Sequence, residues 1–418
     1  MNILLRSVTI IDPQGKHHGQ QSDILIKNGK IHTIAGQITP EKNTRIIEKD
    51  NLHVSRGWFD SSVCFGEPGY EERETLANGI KVAGRSGFTA VAVNPNTKPV
   101  TDSSAQIAFI SHKGQRTATT LHPVGALTAG GQGVDLAELY DMQQAGAVAF
   151  GDYKSPVTNP NLLKIALQYT QNFDGLVMSF PLEKSISGKG VVNEEATAIR
   201  LGLKGIPALS EELQIARDLY ILEYTGGKLH IPTISTERGV TLIKEAKKKG
   251  LDVSCSVAIH HLFLSEEVLE GFDTRYKVMP PLRTDKDRKA LIKGLKDGTI
   301  DMVTSDHDPR DIELKKVEFD HADYGSIGLE SAFGALNTLL PLEDAIRVLG
   351  AGRRRFLKEE TTLEEGAEAD LTLFDPQHTY TFTKGHILST SKNSAFLKQE
   401  LKGYVFGVIN GSFTEIEE

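Results

Sequence analysis

Hydrophobic and polar positions follow two rhythms along this chain. From residue 1 to about 53 the apolar residues come in short runs: Ile3-Leu4-Leu5, Val8-Thr9-Ile10-Ile11, Ile24-Leu25-Ile26 and Ile31-His32-Thr33-Ile34. Turn formers at Asp12-Pro13-Gln14-Gly15 and Asn28-Gly29 cut them apart. Asn-Gly between apolar alternations predicts a hairpin, because both residues accept the positive φ of a tight turn. The end of the chain returns to this rhythm in Ala369-Asp370-Leu371-Thr372-Leu373-Phe374 and Tyr404-Val405-Phe406-Gly407-Val408-Ile409. Both ends therefore read as β-structure.

Between them, apolar runs alternate with segments of helical spacing. Strands are predicted at 54–65, 89–94, 119–125, 147–152, 175–180, 228–234, 252–259 and 300–305. Helices are predicted at 71–84, 133–144, 159–171, 210–223, 238–249 and 285–296; in the last, Leu291, Ile292 and Leu295 recur with helical period. Strand–helix alternation implies parallel βα units, and eight of them imply an α/β fold, a (β/α)8 TIM barrel. The expected organisation is a barrel over 54–355 and a small β-sandwich domain built from both termini, 1–53 with 356–418.

Composition narrows the class. The 418 residues are 39% hydrophobic, enough for a large core, and the formal net charge is −8. That charge argues against nucleic acid and anionic membranes as partners, since both need a basic face. Two cysteines, Cys64 and Cys255, imply no disulfide framework and point to a reducing cytoplasm. The N-terminus lacks the charged-then-apolar shape of a signal peptide, and no apolar run approaches the ~18 residues that span a bilayer.

Barrel chemistry sits where the strands end. The predicted ends carry Ser62, Cys64 and Gly66; Asn94-Pro95-Asn96-Thr97; Asp152; Phe180; Thr233; His260-His261; and Ser305-Asp306-His307-Asp308. Together with Glu67-Pro68-Gly69-Tyr70-Glu71, Lys277-Val278-Met279-Pro280-Pro281-Leu282-Arg283, Asp297-Gly298-Thr299-Ile300-Asp301 and Ser391-Lys392-Asn393-Ser394, these resemble the motifs of dihydroorotase, in order and through nearly the whole chain. The resemblance is to the long bacterial branch within the amidohydrolase superfamily. It implies a (β/α)8 barrel with a two-ended β-domain, and a place in pyrimidine synthesis, where the family opens or closes a cyclic amide at a metal-bound hydroxide.

The resemblance also implies a metal set: two histidines on the first strand, one each on the fifth and sixth, a bridging acid or modified lysine on the fourth and an aspartate on the eighth. Here those positions read Ser62, Cys64, Phe180, Thr233, Asp152 and Asp306. All four histidines are absent and both aspartates remain. A hydrolytic zinc needs about three protein ligands and an open position for water. The family's aspartate base, here Asp306, works on water whose pKa the metal lowers from about 16 to about 7. Without it the base faces some nine units more, on the order of 12 kcal/mol. The family's substrate-carboxylate arginine is Gly66, an asparagine is Met279 and a histidine is Arg310, whereas Asn96 and His307 keep the substrate-binding frame.

Each remaining signal has a plainer reading. Asp152 is expected to be a structural acceptor near Lys154, Cys64 to be inert packing, and Asp306 to be idle. Adjacent His260 and His261 on a strand would face opposite sides. Arg353-Arg354-Arg355 is a candidate partner contact. The expectation is a degenerate zinc site, no cofactor, and a non-catalytic homologue. Such homologues in this family assemble with aspartate transcarbamoylase, which makes that enzyme the expected partner, in a homo- or hetero-oligomer. The alternatives are an active dihydroorotase or related cyclic amidase (hydantoinase- or allantoinase-like) that uses zinc in an altered site, and a metal-free pocket that binds a metabolite.

Overall fold

Eight short strands made almost wholly of buried residues form the centre of the molecule: β1 (Trp58–Val63), β2 (Phe88–Val93), β3 (Thr120–Gly125), β4 (Ala149–Phe150), β5 (Leu176–Met178), β6 (Lys228–Ile231), β7 (Val253–Ala258) and β8 (Met302–Thr304). The computed structural model describes residues 2–417. All eight strands pair in parallel, each with its neighbour in sequence. A bridge between Val63 and His307 joins β1 to the residues after β8, with the Cys64 N–H donating to the His307 carbonyl at 2.8 Å. Strands buried on both faces read as continuous apolar runs, which is why this region predicts a barrel and not an open alternating sheet.

Beneath that bridge lies Asp60, a wholly buried carboxylate. It accepts from the backbone N–H of Ser62 (3.0 Å) and Ser305 (2.8 Å) and from the hydroxyl of Thr304. It ties the first barrel strand to the last.

The predicted strand 54–65 is two strands. His53–Arg56 belongs to the terminal sheet, and β1 starts two residues later. The break falls at Gly57, whose N–H donates to the Asp370 carbonyl at 2.9 Å. A Cβ there would lie 1.9 Å from Asp370 Oδ1 and 2.1 Å from Thr89 Oγ1, so only glycine passes between them. The terminal sheet has eight hydrogen-bonded strands, five from residues 2–56 and three from residues 370–416. Its two arms close on one apolar core that includes Ile3, Ile24, Ile34, Leu371 and Ile409.

The six predicted helices are all present, as Leu76–Arg85, Leu139–Gln144, Pro160–Thr170, Ala208–Thr225, Glu237–Lys248 and Asp285–Lys296. No helix among the described residues is long and apolar enough to cross a membrane.

Helix Gly352–Leu357 plugs the N-terminal end of the barrel. Phe356 packs tilted against Phe59 (5.6 Å) and edge-on to His230 (5.1 Å), and Gly352 lies so close to Phe59 that a Cβ would meet the ring at 2.6 Å. Two of the three adjacent arginines are therefore internal, not a partner contact. Arg353 is buried against Asp370 (2.9 Å) and donates to Thr89, and Arg355 pairs with Asp252 and donates to the Leu229 carbonyl at 3.1 Å. Only Arg354 points to solvent.

Removing one partner of a buried pair strands the other's charge, at a cost of about 3–5 kcal/mol. Arg353→Ala is expected to lower unfolding stability by about that amount, and Arg354→Ala by less than about 0.5 kcal/mol. Denaturant midpoints of the two variants check the contrast.

Candidate functional site

The C-terminal ends of the strands carry a narrow pocket. Ser62, Asn94, Lys154, Phe180, Thr233 and Asp306 are among its walls. The hollow they leave has room for hardly more than one water molecule. The turns that deliver these side chains are strained. Tyr153, Thr233 and Asp306, at the ends of β4, β6 and β8, all hold left-handed backbone, at φ 54°, 48° and 47°. For a β-branched threonine this is a true outlier, and such strain, about 1–3 kcal/mol each, gathers at sites where geometry matters.

At the centre is the ammonium of Lys154. Its Nζ lies 2.9 Å from Asp306 Oδ2 and 3.5 Å from Asp308 Oδ2. Asp308 also accepts from Arg310 at 2.9 Å and from the Tyr153 hydroxyl at 3.1 Å. Two carboxylates and two cations thus balance inside the barrel mouth. Burial opposes the charge of Lys154, but Asp306 and Asp308 outweigh it and hold its pKa above the ordinary lysine value. Burial pushes Asp306 up to about 6 against the pull of Lys154. Burial would raise Asp308 as well, yet Arg310 and Lys154 hold it below the usual carboxylate range.

The structure brings four of the six expected ligand positions to this pocket: Ser62, Phe180, Thr233 and Asp306. Ser62 donates weakly to Asp306 (3.4 Å) and accepts from Asn94 (3.0 Å). Cys64 is one step behind, 3.7 Å from the Asn94 amide, and burial together with Asp308 pushes its thiol up to about 12, so it carries no thiolate. Asp152 turns away. It accepts from the N–H and hydroxyl of Thr128 at 3.1 and 2.7 Å, and burial raises its pKa. Its expected neighbour Lys154 pairs across the barrel instead, a link that no local spacing encodes.

The retained frame residues also differ from expectation. Asn94, not Asn96, faces the pocket. His307 is wholly buried, and its Nδ1 accepts from the N–H groups of Gly328 and Leu329, which start helix Leu329–Leu339. Burial lowers its pKa to about 3, so the ring stays neutral in a structural role. His260 and His261 lie on a short helix, Ile259–Phe263, not on a strand. Both are buried with ring centres 4.5 Å apart, and His261 Nε2 donates to the Pro280 carbonyl at 3.0 Å. At Gly66 a Cβ would come within 1.9 Å of the Tyr70 carbonyl oxygen, so the loop has closed over the place of any larger side chain.

The donor chemistry does not fit a zinc centre. No group of three or more His, Cys, Asp or Glu side chains among the described residues is placed to hold a metal ion. Asp306 Oδ2 is already paired with the Lys154 ammonium at 2.9 Å.

Comparison with known proteins places the fold and the lineage. Residues 53–239 match a family described as dihydro-orotase-like. A dihydroorotase of Pelotomaculum thermopropionicum is 40% identical over 98% of this chain and 97% of its own length. One of Geobacter metallireducens is 37% identical over 98% and 99%. Among solved structures, an L-hydantoinase from Arthrobacter aurescens superposes with a TM-score of 0.86 over 99% of this chain and 96% of its own, at 21% identity, which is a likeness of fold. Full-length identity at this level, together with the barrel and its two-ended β-domain, makes this chain a member of the dihydroorotase family.

Proposed function

We propose that this chain is a non-catalytic member of its family, a pseudoenzyme whose barrel acts as a structural or regulatory partner of aspartate transcarbamoylase. The observation that carries the proposal is the Lys154 ammonium, 2.9 Å from Asp306 in a pocket whose other expected ligand positions are Ser62, Phe180 and Thr233. Four absent histidines spread over three strands leave no neighbour to rescue the site. Asp306, the family's base, is already spent on an ion pair. Gly66 removes the bidentate anchor for a substrate carboxylate, and the loop around it leaves no space for one. The left-handed turns at Thr233 and Asp306 keep a geometry suited to chemistry without the groups that would perform it. The opposing reading, an active cyclic amidase with an altered zinc site, draws on the two retained aspartates. It requires Lys154 to leave.

Protein purified in the presence of zinc is expected to hold well under one zinc per chain after gel filtration and to leave dihydroorotate unchanged. Two tightly held zinc ions with chelator-sensitive turnover would sink the proposal.

The order of obstacles is testable as well. Ser62→His, Cys64→His, Phe180→His and Thr233→His combined are expected to leave zinc content near zero, because Lys154 still neutralises Asp306. Adding Lys154→Gly is expected to tighten zinc binding at least tenfold and to make the melting temperature rise with zinc. Elemental analysis and thermal melts read both; full zinc loading of the four-histidine variant alone would contradict the role given to Lys154.

For the partner, co-expression with the host's aspartate transcarbamoylase is expected to give co-elution on a sizing column at micromolar concentration. Independent elution would remove that half of the proposal.

A further inference from the structure

A second hollow lies where the barrel meets the terminal sheet. Its volume is about 120 Å³, against about 10 Å³ for the pocket at the barrel mouth. A cavity of ~150 Å³ admits a benzene, so a short organic molecule fits. Its walls come from both domains. Ser86 caps helix Leu76–Arg85, Glu330 and Phe333 lie on helix Leu329–Leu339, and Tyr380 and Tyr404 belong to strands Asp370–Thr381 and Glu400–Asn410. Two glycines shape it. At Gly403, where φ is 111°, a Cβ would stand 2.6 Å from the Phe333 ring. At Gly334, inside the helix, it would stand 3.0 Å from the Tyr380 hydroxyl. Glycine within a helix costs about 1 kcal/mol relative to alanine, and here it makes room for the tyrosine.

Polar atoms in these walls lack partners. Glu330 Oε1 accepts from the N–H and the hydroxyl of Ser389 (3.0 and 2.5 Å), whereas its buried Oε2 has no hydrogen-bond partner within the chain. The hydroxyl of Ser86, a residue only 4% exposed, has none either. Arg85, which also lines the hollow, pairs instead with Glu417 at 3.3 Å, and the Tyr404 hydroxyl donates to the same carboxylate. Burial raises the pKa of Glu330 against the bonds from Ser389, and the Glu74 carboxylate adds to the rise. A buried carboxylate without a counter-charge is costly, and a bound cation offsets that cost.

The geometry selects the kind of cation. A guanidinium is held best by two carboxylate oxygens at once. Ser389 already takes one oxygen of Glu330, which leaves a single acceptor. One acceptor suits the point charge of an ammonium. Ser86 offers a second. The rings of Tyr380 and Tyr404, with centres 6.1 Å apart and edge to face, line the same space and attract positive charge. Leu329 and Phe333 give an apolar stem its wall.

We propose that this cavity binds a small primary alkylammonium, with Glu330 Oε2 and Ser86 Oγ as its acceptors. The site shares no residue with the pocket at the barrel mouth and stands whether or not that pocket is catalytic. Calorimetric titration of the full chain with n-butylammonium chloride at constant ionic strength is expected to show one saturable site per chain, with a dissociation constant on the order of 1 mM or tighter. 1-Butanol and sodium butyrate, which carry a like stem without the positive charge, are expected to give no saturable heat. Methylguanidinium is expected to bind roughly tenfold more weakly than butylammonium. Glu330→Gln keeps the shape and an acceptor for Ser389, and is expected to weaken butylammonium binding by about tenfold or more. Ser86→Ala, which removes a hydroxyl with no other partner, is expected to weaken it roughly threefold and reads the site without touching Glu330. Absence of saturable binding, butanol or butyrate binding as tightly as butylammonium, methylguanidinium binding more tightly, or full affinity in both variants would each overturn the proposal.

Discussion

Three carboxylates converge where the barrel closes, and they set the terms for everything around them. Asp60, Asp306 and Asp308 come from the first strand and from the residues that follow the last. All three are buried, and an isolated buried carboxylate is too costly to keep charged. Each meets this constraint differently. Asp60 takes three hydrogen bonds from the closing strands, and burial raises its pKa. Asp308 takes Arg310 and Tyr153. Asp306 takes Lys154, which arrives from the opposite side of the barrel at the end of β4. A hydrolase of this architecture would meet the same demand with metal ions. Here an amine on a flexible stem does so, and in doing so fills the pocket.

That exchange has an energetic logic. A metal ion brings more charge than Asp306 needs for neutrality, and it requires donors that Ser62, Phe180 and Thr233 do not supply. A lysine brings one charge and three N–H donors, and it is covalently present at all times. The pair need not stabilise the fold outright, because desolvating both ions offsets much of their attraction. What the pair does is make removal of either ion costly while the other remains. The pair thereby holds Lys154 against Asp306 across the barrel mouth.

Much of the fold was legible because its signals are local. Eight apolar runs alternating with helical spacing gave a barrel, and Asn28-Gly29 marks the hairpin between the second and third strands of the terminal sheet. The errors arise where a long-range contact decides a local outcome. The run through residues 54–65 is apolar on both sides of Gly57, and only the approach of Asp370 and Thr89 shows why it breaks there. Arg353 and Arg355 look like a surface cluster until Asp370 and Asp252 are placed beside them. Lys154 is two residues from Asp152, yet Thr128 claims Asp152 from the neighbouring strand end and leaves Lys154 free to cross to β8. His260 and His261 were expected on a strand because the apolar run of β7 leads into them; the chain turns helical at Ile259.

The strand ends that line the pocket are fixed by backbone contacts as much as by side chains. Left-handed φ at Tyr153, Thr233 and Asp306 costs free energy at three strand ends. Such strain persists only where the surrounding structure over-determines it. In this barrel the neighbours do so. The strand-end N–H of Thr233 donates to the Ser256 hydroxyl at 3.2 Å, and Asp306 is pinned by the Thr304 hydroxyl behind it and by Lys154 in front. A side chain at such a strand end can change at little structural cost, whereas a turn fixed by two neighbouring strands cannot relax without moving both. A barrel of this kind can therefore keep the shape of its strand ends while the side chains that line the pocket vary, and identity near 40% across the whole chain speaks for the fold more than for the chemistry of that pocket.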